Sequence, residues 1–253
     1  MVHGWAPRPE RPRVSVDDFS STGNSTSQLP ESNAIASPVT GVGLWWARLT
    51  ATDRDFAELS SWLSPAEHAR AARFGRDSLR RRYIIGRALL RKLLGGAVDL
   101  APGAVPIVRG ARGRPRLDGI QGIDFNVSHT QDMALVGIAR GPRIGVDIER
   151  ADRDVNADGL SRKFLSEQER ATLDPLAAEE RRLRFLRYWT CKEAMSKATG
   201  DGIAAPFRHM EVALGEQIEL VRGGPPYEPE RWRLFGVDVP SGFLGTLAIW
   251  SVG

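Results

Sequence analysis

The chain has 253 residues, a formal net charge of +4 and 42% hydrophobic residues, with seven Trp and nine Phe. That is apolar material for one large domain or two small ones with proper cores, and it excludes a disordered chain. The single cysteine, Cys191, excludes an intrachain disulfide. With no N-terminal apolar signal and no apolar run of about 18 residues, neither secretion nor membrane spanning is expected, and the cytoplasm is the default location.

The basic residues are biased. Only four of 35 are lysines (Lys92, Lys163, Lys192 and Lys197), which leaves 31 arginines. Arginine presents a fixed fork of donors suited to phosphate and carboxylate, so the bias fits a phosphorylated ligand or an acidic partner. The small net charge and the lack of a nucleic-acid recognition module speak against a nucleic-acid binder.

Residues 1–40 are proline- and arginine-rich, then polar, and read as a flexible or loosely attached leader, with an ordered extension as the alternative. Residues 43–49 read as a strand. Residues 61–95 read as helices, with Ser64, Pro65 and Glu67 in capping-box order and Gly95 and Gly96 as the stop. On this stretch Arg80, Arg81, Arg82, Arg87 and Arg91 read as a polar helix face. A short strand, a glycine turn and an extended piece occupy 105–117, and a β-hairpin spans 123–130 and 133–140. Residues 143–149 are a strand that opens a second unit. Residues 161–200 are helical in at least two segments, with a Ser166–Glu169 capping box and a break at Pro175. The tail carries four strand candidates. The element order thus repeats, predicting an α+β fold of two similar subdomains, 41–142 and 143–253, each a small antiparallel sheet with helices, and a ligand cleft between them.

Asp147 and Glu149 lie two apart on a predicted strand and so share one face. Glu193 lies 46 residues beyond Asp147 on a predicted helix. If that helix crosses the strand, three carboxylates converge, which requires a cation; hard oxygen ligands suit magnesium. Lys192 and Lys197 flank the Glu193 carboxylate in the sequence and are candidate phosphate contacts. His129 has no partners at zinc spacing, and Ser128 and His129 point to opposite faces of their strand, so they form no nucleophile–base pair.

Two motifs, Ile144-Gly-Val-Asp147-Ile-Glu149 and Trp189-Thr-Cys-Lys192-Glu193-Ala-Met-Ser-Lys197, are separated by 41 residues between Asp147 and Trp189. Together with Phe125-Asn-Val-Ser-His-Thr130 and Arg112-Gly-Arg-Pro115 they resemble the phosphopantetheinyl transferases of the surfactin-synthetase-activating type. The resemblance spans residues 43–210. It implies a pseudo-twofold fold with coenzyme A between the halves, and transfer of the phosphopantetheine arm of coenzyme A to a serine of an apo acyl, peptidyl or aryl carrier protein. It further implies Asp147, Glu149 and Glu193 as magnesium ligands, with Glu193 as a candidate base, and Lys192 and Lys197 as lysines facing phosphate and the transition state. Arg70, Arg82, Arg114, Pro115, Ser128 and His129 are implied contacts of coenzyme A. Arg114, before Pro115, stands where the family motif has lysine, and Glu67 stands where some members have a base. A monomer of the broad-specificity, secondary-metabolism branch is expected. The competing readings are a magnesium-dependent phosphohydrolase or nuclease and a non-catalytic scaffold binding coenzyme A or carrier protein.

Overall fold

The structure, a computed structural model, describes residues 32–110 and 112–251. In chain order its strands and helices are β1 (Ser32–Ile35), β2 (Val42–Arg48), α1 (Asp53–Ser61), α2 (Pro65–Ala71), α3 (Asp77–Val98), β3 (Ile107–Arg109), β4 (Pro115–Leu117), β5 (Ile123–Thr130), β6 (Met133–Arg140) and β7 (Arg143–Arg150). There follow α4 (Ala157–Phe164), α5 (Glu167–Ala171), α6 (Ala178–Thr199), β8 (Glu211–Leu214), β9 (Ile218–Arg222), β10 (Trp232–Val237) and β11 (Phe243–Trp250). β1 lies within the stretch read as a leader and pairs with β2; the leader residues before it fall outside the described residues.

The strands form two antiparallel sheets, in the orders β1-β2-β6-β5 and β7-β11-β10-β9-β8, beside a small β3–β4 hairpin. Strand alternation sorts the side chains. Ala134, Val136 and Ile138 of β6 join α3 in one core, while Met133 and Leu135 face the second sheet. The second sheet buries Ile144, Val146, Ile148, Leu247 and Ile249 against that same inner face. Its other face carries α6 over a third core that includes Phe185, Leu186, Met195 and Trp232. The expected α+β architecture of two similar halves is what forms, with the two 22-residue helices α3 and α6 each covering one sheet.

Two local expectations change. α1 was not read from the sequence; Thr52 caps it by accepting the Asp55 N–H. α3 runs through Gly95 and Gly96 to Val98. Gly95 serves a close approach rather than a stop, because a Cβ there would lie 2.5 Å from the Leu100 carbonyl oxygen.

The junction of the halves is made by side chains. β5 and β7 lie side by side, and Asp124, Asn126 and Ser128 of β5 accept the backbone N–H groups of Ile144, Val146 and Ile148 at 2.8, 3.0 and 3.3 Å. On the opposite face of β7, α6 sits so close that a Cβ on Gly145 would stand 1.8 Å from the Ala194 carbonyl oxygen. Gly145→Ala must therefore displace α6 from β7. We expect it to cost about 3 kcal/mol of stability, at the upper end of overpacking penalties, read by urea denaturation.

Candidate active site

The face of β7 that carries Gly145 also carries Asp147 and Glu149. Glu193 and Lys197 are four apart on α6 and so share a helix face. The tight helix–strand contact brings these groups together. Lys197 Nζ donates to Asp147 Oδ1 at 2.6 Å and to Ser128 Oγ at 2.8 Å. Ser128 Oγ in turn donates to Asp147 Oδ1 at 2.8 Å. Glu149 accepts from Thr130 at 3.2 Å and is ion-paired with Arg153.

Electrostatics mark the acids as a set. Burial, then Asp147, push the Glu149 carboxyl up, partly offset by Arg153. Burial pushes Glu193 up, Lys197 pulls it down, and Asp147 and Glu149 push it up again. Asp147 Oδ2 is buried with no hydrogen-bond partner. A buried carboxylate oxygen without a donor is costly unless a cation meets it. The donor set, three carboxylates, is that of a hard divalent cation, so the chemistry and the orphaned oxygen fit magnesium. Among the described residues no trio of acidic, histidine or cysteine side chains is already closed around a metal position. Lys197 rests on Asp147, and Arg153 on Glu149.

Sequence comparison bears on this arrangement. Residues 143–236 match the 4'-phosphopantetheinyl transferase superfamily model, and residues 47–140 match the 4'-phosphopantetheinyl transferase N-terminal model. The 4'-phosphopantetheinyl transferase HetI of Nostoc is 39% identical over 176 residues, covering 68% of this chain and 74% of the relative. A 4'-phosphopantetheinyl transferase of Bacillus subtilis is 25% identical over 168 residues, covering 65% of this chain and 74% of the relative. The psf-1 enzyme of Bacillus pumilus is 26% identical over 175 residues, covering 69% and 74%. The chain belongs to the 4'-phosphopantetheinyl transferase superfamily.

In this superfamily member the structure gives three of the residues singled out in the sequence partners within the protein. Lys192 does not face the cleft. It is five residues, roughly 140° of helix, from Lys197. Its amine is fully buried and donates to Glu169 Oε2 at 2.6 Å and to the carbonyls of Phe164, Phe207 and Met210 at 3.1, 2.7 and 2.6 Å. Burial lowers its pKa against the pull of Glu169. Glu169, the capping-box acid of α5, also accepts the Val212 N–H at 2.8 Å. Lys192 therefore ties α6 to α5 and to the chain before β8, with its amine engaged inside the protein.

Arg114 is likewise engaged within the protein. Its guanidinium meets both Asp124 oxygens at 2.7 Å and donates to the Lys197 and Ile144 carbonyls at 2.9 and 2.8 Å. The side chain is only 8% exposed.

Glu67 is paired within the protein. Arg87 and Arg91 pair with it at 2.5 and 2.7 Å, and Arg91, read as part of a polar face, is 2% exposed. Sequence reasoning missed this buried cluster because helical spacing assigns Arg87 and Arg91 a face but not a partner; the acid on the preceding helix was the available signal.

The remaining candidates are placed as follows. Arg70 is exposed, with its guanidinium 5.9 Å from the Tyr83 ring centre. Arg82 is half-buried on α3 with no ion pair among the described residues. His129 is exposed at the end of β5, and Pro115 opens β4. Ser128 is buried within the Asp147–Lys197 group. Cys191 is buried, and burial pushes its thiol up to about 11, so it is no nucleophile at neutral pH. A cavity of about 1420 Å³ lies away from the acids, between α6 and β9–β10, lined by Leu183, Arg187, Leu220 and Trp232. A smaller cavity, about 410 Å³, is lined by Thr130, Gln131, Arg150 and Arg153.

Two outcomes follow. Lys192→Met leaves Glu169 buried without its cation and should cost about 3–5 kcal/mol, read by denaturant unfolding, while the affinity of the folded fraction for coenzyme A holds. Burial pushes Glu67 up, but Arg87, the Ser64 N–H and Arg91 outweigh it and leave the carboxyl below its ordinary value. Its charged form therefore stabilises the fold fully above the ordinary value of 4.5, and that contribution is lost as pH falls through the lowered folded value. The stability gap between wild type and Glu67→Gln should be full above that range and narrow on acidification, as read by melting temperature against pH.

Proposed function

We propose that this protein transfers the 4'-phosphopantetheine arm of coenzyme A to a serine of an apo acyl, peptidyl or aryl carrier protein, releasing adenosine 3',5'-bisphosphate, as a holo-acyl-carrier-protein synthase of the surfactin-synthetase-activating type. The observation that carries the reading is the convergence of Asp147, Glu149, Glu193 and Lys197 where α6 crosses β7, in a chain of this superfamily. The protein acts as a monomer, and coenzyme A lies between the subdomains 41–142 and 143–253.

Asp147, Glu149 and Glu193 are the residues that would hold magnesium. When bound, the ion supplies charge neutralisation at the pyrophosphate of coenzyme A. Lys197 offers a second positive charge beside Asp147, where negative charge develops on the transferring group and on the departing nucleotide. Glu193, with its carboxyl pushed up by burial, is suited to take the proton of the carrier serine. Arg70, Arg82 and His129 are exposed or half-exposed cationic and polar groups suited to the nucleotide end of coenzyme A. The serine oxygen attacks the phosphorus that bears the pantetheine arm, and the bond to the nucleotide breaks, so no covalent enzyme intermediate forms. The buried, inert Cys191 fits that scheme.

The test is intact mass of several apo carriers incubated with the protein, magnesium and coenzyme A. One added phosphopantetheine arm is expected, lost on chelation and reduced by about 100-fold or more in rate by Glu193→Ala. Binding of coenzyme A with no mass gain on any carrier would favour a non-catalytic scaffold.

A further inference from the structure

We propose that Arg114 is a positioning residue for the transfer reaction, acting through Lys197 rather than on coenzyme A; this rests on the transferase reading above. A guanidinium has five N–H donors. Four of them are committed: two to the Asp124 carboxylate, one to the Ile144 carbonyl and one to the Lys197 carbonyl. The side chain is 8% exposed and its acidic partner 18%. A bidentate, mostly buried pair of this kind has a fixed geometry, and little of its charge is available to an incoming anion.

The four bonds join different parts of the fold. Arg114 sits beside the β3–β4 hairpin, Asp124 is on β5, Ile144 is on β7, and Lys197 is in the last turn of α6. Asp124 also accepts the Ile144 N–H, so one carboxylate holds both the arginine and the first rung of the β5–β7 junction. Next to it Arg112 pairs with Asp201 at 2.5 Å, and Asp201 accepts from Tyr227 at 2.7 Å. Gly200 ends α6 with a left-handed φ of 85°, and a Cβ there would stand 3.4 Å from Arg114 Cβ. The hairpin thus grips the C-terminal turn of α6. That turn sets how far Lys197 reaches: its amine touches Asp147 and Ser128 while its carbonyl is held by Arg114. Lysine at position 114 would keep the charge but could not span two carboxylate oxygens and two carbonyls at once.

The experiment uses Arg114→Lys, Arg114→Met, Asp124→Asn and the Arg114→Met/Asp124→Asn double variant, each as the full chain. Its first readout needs no transfer: competitive acetylation of the lysines, read by peptide mass spectrometry. With only four lysines in the chain the map is simple, and buried Lys192 reports whether the fold is intact. Lys197 should gain reactivity several-fold in every variant while Lys192 stays protected. The second readout is the kinetics of carrier loading with calorimetric binding of coenzyme A. We expect kcat to fall by about 10- to 100-fold, KM and Kd for coenzyme A to change by less than about threefold, and the double variant to be no worse than the worse single one. The proposal is overturned if Lys197 labelling does not change. It is equally overturned if Arg114→Lys raises the coenzyme A Kd at constant kcat while Asp124→Asn leaves binding intact, since Arg114 would then be a ligand contact. A wild-type protein that loads no carrier would sink the transferase reading, and the labelling result would still decide whether Arg114 places Lys197.

Discussion

Three side chains on one edge of β5 hold the molecule's two halves in register. Asp124, Asn126 and Ser128 alternate along the strand and accept successive outward N–H groups of β7. A buried strand edge must have its N–H groups satisfied. Here that is done by side chains instead of a neighbouring backbone, so β5 and β7 each remain the edge strand of a separate sheet. Because the contact repeats every second residue, it sets the rotation of β7. Ile144, Val146 and Ile148 turn into the core between the sheets, and Gly145, Asp147 and Glu149 turn toward α6. Ser128 belongs to both systems, since its hydroxyl accepts the Ile148 N–H and also joins Asp147 to Lys197.

Charge is handled in two ways in this fold. Lys192 with Glu169, Arg114 with Asp124, and Glu67 with Arg87 and Arg91 are buried ions with well-supplied partners. Breaking any such pair strands a charge in a poorly solvated place, so they fix the geometry around them. The acids on β7 and α6 are treated differently. Asp147 keeps one buried oxygen without a donor, and Glu149 and Glu193 are pushed toward their neutral forms by burial and by Asp147, with Glu149 adding to the push on Glu193. The paired ions hold the frame, and the under-compensated ones are where a cation or a proton has work to do.

Backbone proximity makes the site possible. Glycine at 145 lets α6 lie against β7, and the small residues Ala194 and Ala198 on the facing helix keep the approach close. The same helix presents Lys192 to the opposite side, where α5 and the segment before β8 enclose it. One helix therefore supplies a functional face and a scaffolding face within a single motif.

The sequence alone was sufficient for the β5–β6 hairpin and for placing Asp147 and Glu149 on one strand face, because these depend on periodicity along the chain, and its motifs carried the resemblance to the family; it did not show β1 or α1. It also located both capping boxes, which form as read at Ser64 and Ser166. It did not assign Lys192, Arg114, Glu67 or Arg91, since a charged side chain in a motif looks the same whether it meets a ligand or a buried counter-ion. That choice is made by residues distant in the chain: Glu169 for Lys192, Asp124 for Arg114, and the first-domain helix α2 for Arg91. Only the tertiary structure brings those partners together, and the cost of burying an unpaired charge is what makes the assignment.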